Sequence, residues 1–158
     1  MGICSSNQKI SNTEKKSGIP ENITVKDCPT FIPHIEQGRV IQVDDCDTIT
    51  IATKISNLEN SLIYRFEIRL SGIDTPEIKS KNHDEKEIAK LVQQKLHNKI
   101  IGKIVQLKNI NIEKSSRLLA EVYFNDIFIN KWLIETNCAV EYDGGTKQIV
   151  DWKTKFEG

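Results

Sequence analysis

The chain has 158 residues, 38% hydrophobic and 28% charged, enough for one modest core with chain to spare. Its 22 lysines and arginines equal its 22 aspartates and glutamates, so global charge does not advertise nucleic-acid binding and any phosphate recognition has to be local. No stretch approaches the roughly 20 apolar residues of a membrane span, no signal peptide is expected, and Cys4, Cys28, Cys46 and Cys138 form no C-x-x-C pair, which reads as free thiols in a reducing compartment.

Residues 1–29 are polar, lack a sustained period and read as a flexible tail; the folded domain is assigned to 30–158. Met1 to Ser6 fits M-G-x-x-x-[ST], the acceptor pattern for myristate on Gly2, with Cys4 as a natural palmitate site. Two acyl chains anchor stably where one does not. The expected location is the cytoplasmic face of a cellular membrane in a eukaryotic cell or host; the alternative is a chance match.

Arg39 to Val43 reads as a strand, Asp44 to Asp47 as a turn, and Thr48 to Lys54 as the returning strand. Leu62 to Leu70 alternates cleanly: Leu62, Tyr64, Phe66, Ile68 and Leu70 are expected on the buried face, with Arg65, Glu67 and Arg69 opposite. A helix is predicted over 84–98 with Ile88, Leu91, Val92 and Leu96 as its apolar stripe. Strands are predicted over 104–109 and 118–124, a turn at Asn125-Asp126, a short helix over 130–136 ended by Asn137, and a last helix over 147–155. Trp132 is expected in the core and Trp152 on the last helix. Five strands with a helix after the third give an α+β fold, an OB-fold five-stranded β-barrel with about three packed helices, a class that often binds nucleic acid.

Arg69 to Glu77, R-L-S-G-I-D-T-P-E, is the stretch on which chemistry concentrates. Asp74 or Thr75 suits a helix N-cap, Pro76 the first helical position and Glu77 the positive helix end, so D-T-P-E by itself reads as a helix start. An arginine that can fork onto phosphate, beside carboxylates that can hold a hard cation, reads instead as phosphoryl chemistry.

Three motifs, in order and over roughly residues 39–155, resemble the thermonuclease family of staphylococcal-nuclease-like domains: Val43-Asp44-Asp45-Cys46-Asp47-Thr48 against V-x-D-G-D-T, the unbroken Arg69 to Glu77, and Glu113 to Ala120 against D-K-Y-G-R-x-L-A. A weaker echo runs from Ile129 to Ala139. The resemblance implies a calcium (Ca2+)-dependent phosphodiesterase that cuts DNA and/or RNA and leaves 3′-phosphate ends. Carried over, Asp47 and Asp74 ligate the metal by carboxylate and Thr75 by its carbonyl, while Asp45 supports them from behind. Glu77 meets the attacking water, and Arg69 and Arg117 grip the phosphoryl oxygens. Lys114 is a candidate phosphate contact or a solvated turn lysine, and Tyr142 a candidate stacking residue or a rim tyrosine. A monomer is expected, and no protein partner is inferable.

The chain departs from the pattern at Cys46, where the motif has glycine, and at Ser115-Ser116, where it has tyrosine and glycine. If the glycine position needs a positive φ, cysteine strains that turn, and serine in place of the second glycine would misaim Arg117. The alternative function is therefore a catalytically weak or inactive OB-fold module that binds nucleic acid or a protein.

Overall fold

In the computed structural model, which describes residues 18–113 and 115–158, alternating β-branched and apolar residues build the strands of a small barrel. The chain divides into two compact units, Met1–Phe31 and Ile32–Gly158. Within the first, residues 18–31 hold one 3-10 turn, Val25–Asp27, and none of them is buried. Gly2, Cys4 and Lys114 lie outside the described residues.

In the second unit, β1 (Gln37–Asp45), β2 (Thr48–Thr53) and β3 (Tyr64–Leu70) form an antiparallel meander. The chain then bends at Ser71-Gly72, where Gly72 takes a φ of 75°, into the two-residue β4 (Ile73–Asp74). After α1 (His83–Ile100), β5 (Ile104–Ile112) pairs with β1 and β6 (Leu118–Phe124) with β5. β6 also lies parallel to β3, with Arg69 opposite Leu119, and this pairing closes a five-stranded mixed barrel of OB-fold type. A left-handed Asn125-Asp126 turn leads through β7 (Ile127–Phe128) into α2 (Ile129–Glu135). β8 (Val140–Glu141) and α3 (Trp152–Glu157) complete the unit.

One core fills the barrel and runs under the helices. Val40, Ile49, Ile51, Ile68, Leu70, Val105 and Val122 are fully buried from the strands, and Val92, Leu96, Ile100, Ile129 and Leu133 from the helices. Each such side chain contributes about 1.5–3 kcal/mol relative to exposure. Asn130 ties α2 to the sheet: its amide donates to the carbonyls of Ser71 (2.8 Å) and Ala120 (3.2 Å), and its side-chain oxygen accepts from Val122 N–H (3.0 Å). Asn137 has a φ of 59°, the left-handed helix end expected of it.

Several expectations need correction. D-T-P-E does not start a helix: Asp74 is in β4, pairing with Val140, and residues 75–77 carry no regular structure. The helix begins at His83, where the Asn82 side chain accepts from Glu85 N–H at 3.1 Å. A distant strand outbids a good local capping sequence. The last helix starts at Trp152 rather than 147, because Asp151 caps it by accepting from Thr154 N–H at 3.2 Å. Leu62 is 69% exposed and Tyr64 39%, since the β2–β3 ladder ends at Thr53–Tyr64 and the chain before it runs past the barrel. Leu91 is exposed because the inward stripe of α1 is Ile88, Ala89, Val92, Leu96 and Ile100, and Leu91 falls on the outer flank.

The expected location at the membrane face is also corrected. Among the described residues no helix is long and apolar enough to cross a membrane. The longest, α1, is interrupted by Asp84, Glu85, Lys86, Glu87, Lys90, Lys95 and Lys99, which hydrocarbon does not tolerate.

Candidate active site

Strand register places the first acid. Thr48 pairs with Arg69 across β2 and β3, so Asp47, one residue before it in the turn, lies beside the arginine. Asp47 Oδ2 is 2.6 Å from Arg69 Nη1, its Oδ1 accepts from the Thr48 hydroxyl at 2.8 Å, and its carbonyl accepts from Leu70 N–H at 2.8 Å. Burial pushes the Asp47 carboxyl above the usual carboxylate range, with Arg69 and Thr48 pulling the other way.

Cys46 occupies this turn without the strain expected of it. It is absent from the residues with positive φ, its side chain is fully buried, and its thiol donates to the Ala89 carbonyl of α1 at 3.1 Å. Its N–H donates to Asp45 Oδ1 at 2.8 Å. Burial pushes the thiol well up, which leaves it a packing group rather than a nucleophile. Gln93 of α1 donates to the carbonyls of Val43 and Asp44, bracing the end of β1.

The second acid comes from the β4–β8 pair, which buries Asp74 and Thr75 beside Asp47. Glu77 follows on an irregular segment and is 59% exposed. Glu85 fixes that segment: its carboxylate accepts from Glu77 N–H (3.1 Å) and from the Ser80 hydroxyl (2.6 Å). Asp45, Asp47, Arg69, Asp74, Thr75 and Glu77 thus line one hollow of about 180 Å³.

Two further lysines line the hollow, and one reaches deep into it. Lys147 Nζ lies 2.9 Å from Asp74 Oδ1 and 2.8 Å from Glu77 Oε1. The hydrogen bond and charge of Lys147 hold the Glu77 carboxyl below its usual range. Lys79 lines the hollow without an ion pair among the described residues. Neither Lys147 nor Glu85 was singled out by the sequence reading. Glu85 has a signal, the Asn82-x-x-Glu85 capping spacing; Lys147 has none, being 70 residues from Glu77.

Arg69 also lines an adjoining groove of about 780 Å³ that includes Arg117 and Tyr142. Arg117 donates through Nε to Glu113, and its Nη1 is 3.7 Å from Glu67. Burial lifts the Glu113 carboxyl, but the Ser115 hydroxyl and Arg117 outweigh it and hold the group below its usual range. Ser116 takes a φ of 68°, a left-handed conformation that strains a residue with a Cβ, directly before Arg117. Tyr142 N–H donates to Gly72 O (3.0 Å) and its hydroxyl to Gly145 O (2.9 Å), so its ring forms a wall of the groove.

The donors suit a hard cation in kind, since Asp47, Asp74 and the Thr75 carbonyl offer only oxygen. In this arrangement each carboxylate is answered by its own cation, Asp47 by Arg69 and Asp74 by Lys147. Among the described residues no three His, Cys, Asp or Glu side chains gather closely enough to hold a metal ion.

A family model described as staphylococcal nuclease homologue matches residues 67–155. No curated protein matches the chain.

Proposed function

The chain belongs to the staphylococcal nuclease homologue family, and from that premise we propose that it is a calcium-dependent nuclease hydrolysing phosphodiester bonds of DNA and/or RNA to 3′-phosphate ends, with 30–158 as its catalytic domain. The observation that carries the reading is the convergence of buried Asp47 and Asp74 with Arg69 and Glu77 in one hollow, opening beside the groove that holds Arg117.

We assign Asp47, Asp74 and the Thr75 carbonyl to the cation and Asp45 to their support. When bound there, calcium would supply positive charge against the oxygens that become more negative in the transition state. Glu77 accepts a proton from the attacking water as the water oxygen bonds to phosphorus. The bond from phosphorus to the 5′ oxygen breaks, and that oxygen leaves as a hydroxyl after taking a proton from solvent. Arg69 and Arg117 donate to the equatorial oxygens, where the planar guanidinium can form two parallel hydrogen bonds. Lys114 is assigned a phosphate contact, and Tyr142, in the groove with both arginines, a base-stacking role.

The test is purified protein with single-stranded DNA in calcium and then in chelator, beside Arg69→Ala and Glu77→Ala. Cleavage that needs calcium, leaves 3′-phosphates and falls by about a hundredfold or more in both variants is the expected result. Equal cleavage by the variants, or none in calcium, overturns the reading. Ser116 strain and the engagement of Arg117 by Glu113 favour one second reading, a weak or inactive module. That reading expects DNA to be retained without being cut.

A further inference from the structure

The loop after β8 is built to deliver one cation. Gly144 takes a φ of 90°, a conformation reserved largely for glycine, and turns the chain back on itself. Asp143 Oδ1 accepts from Gly145 N–H at 2.9 Å, and the Tyr142 hydroxyl closes the turn on the Gly145 carbonyl. The base of the loop is held to the barrel through Tyr142 N–H and Gly72 O. Lys147 emerges from this turn with its ammonium between Asp74, which is buried, and Glu77, which is exposed.

We propose that Lys147 is the resident counter-cation of this hollow, and that a divalent ion binds only by displacing it, so that the loop sets the calcium affinity of the site. The inference rests on the calcium reading above. Two cations cannot share the same face of Asp74 at contact distance. The ion therefore meets a site that is competent only in the fraction of molecules whose lysine has swung out, and its apparent affinity is reduced by that fraction. The Asp74 contact should dominate the latch, because its carboxylate is buried, whereas the Glu77 contact is screened by water.

The experiment titrates calcium chloride alone into the whole protein by calorimetry. With the latch engaged about nine-tenths of the time, Lys147→Met should bind calcium about tenfold more tightly than wild type. Lys79→Met removes the same charge from the same hollow without breaking an ion pair, and should change affinity by less than about twofold. Gly144→Val has no neighbour within 4 Å to strike at its Cβ, so it strains only the loop, and should tighten binding in the same direction as Lys147→Met. Melting temperature gives a second readout. In chelator Lys147→Met should melt below wild type, since Asp74 has lost its counter-cation, and calcium should restore it. Unchanged or weaker binding by Lys147→Met overturns the latch and leaves the calcium reading standing. Equal tightening by Lys79→Met also overturns it, in favour of net charge. No calcium binding by any of the proteins overturns both.

Discussion

Arg69 and Arg117 line the same groove, yet they are held in opposite ways. Arg69 sits at the end of the β2–β3 ladder, paired with Thr48, and meets a buried carboxylate from the turn just before that residue. Arg117 leaves a turn strained at Ser116 and meets the partly exposed Glu113 and Glu67. The same division runs through the acids: Asp47 and Asp74 are set by strand pairing, Glu77 by an irregular segment pinned to Glu85. The difference separates positions where stability and chemistry are bound together from positions where chemistry can change with little effect on the fold.

Arg69→Ala is the severest test. It strands Asp47 as a buried, unpaired charge and should cost about 3 kcal/mol of stability, with cleavage falling by about a thousandfold or more. Urea unfolding and initial rates measure the two; a full loss of cleavage with no change in stability would erase the distinction. Arg117→Ala and Glu77→Ala should each lower cleavage by about a hundredfold while stability stays within about 0.5 kcal/mol, as half-exposed pairs contribute little.

Cys46→Gly probes the barrel half. It empties a packed site and removes the contact to Ala89 without relieving any strain, so unfolding should show a loss of about 1–2 kcal/mol. Ser116→Gly probes the loop half and should have the opposite sign, a gain of about 0.5–1 kcal/mol with faster cleavage as Arg117 is freed to aim. The smallest effect is acid-dependent. The folded Glu113 carboxyl titrates below its ordinary value of 4.5, so its contribution is present above that pH and lost as pH falls through the folded value. Between about pH 5 and pH 3 the melting temperature of wild type should fall more than that of Glu113→Gln. Asp47, titrating above its ordinary range, works in the reverse direction, since its ionisation on rising pH costs stability.

The barrel was legible in the sequence because its signals are local. Alternation over Thr48 to Lys54 and, past its exposed first residues, over Leu62 to Leu70, the Asn125-Asp126 turn and Asn137 each report a conformation from a few neighbouring residues. That Asp47, Arg69, Asp74 and Glu77 line one hollow agrees with the motif resemblance that grouped them, whereas local patterns alone do not report it, since Asp47 comes from a turn and Glu77 from an irregular segment. D-T-P-E misled because capping preferences say nothing about β8, which arrives some 65 residues later and pulls Asp74 into a ladder. Lys147 was invisible for the same reason, as nothing around a lysine in a glycine-rich turn names its partner. Cys46 looked like a defect only while the turn was assumed to need a positive φ; its burial against α1 explains why a side chain is accommodated there.

The parallel pairing of β3 with β6 has a consequence for how the molecule comes to life. Ile68 meets Leu118, and Leu70 meets Ala120, across some fifty intervening residues that include the whole of α1. Contacts of such long sequence separation form late, after the intervening loop entropy has been surrendered. The meander that pairs Asp47 with Arg69 can assemble from neighbours alone, whereas Arg117 joins the groove beside Arg69 only when the barrel shuts. A nascent or partly unfolded chain therefore brings Asp47 and Arg69 together before Arg117 can reach them.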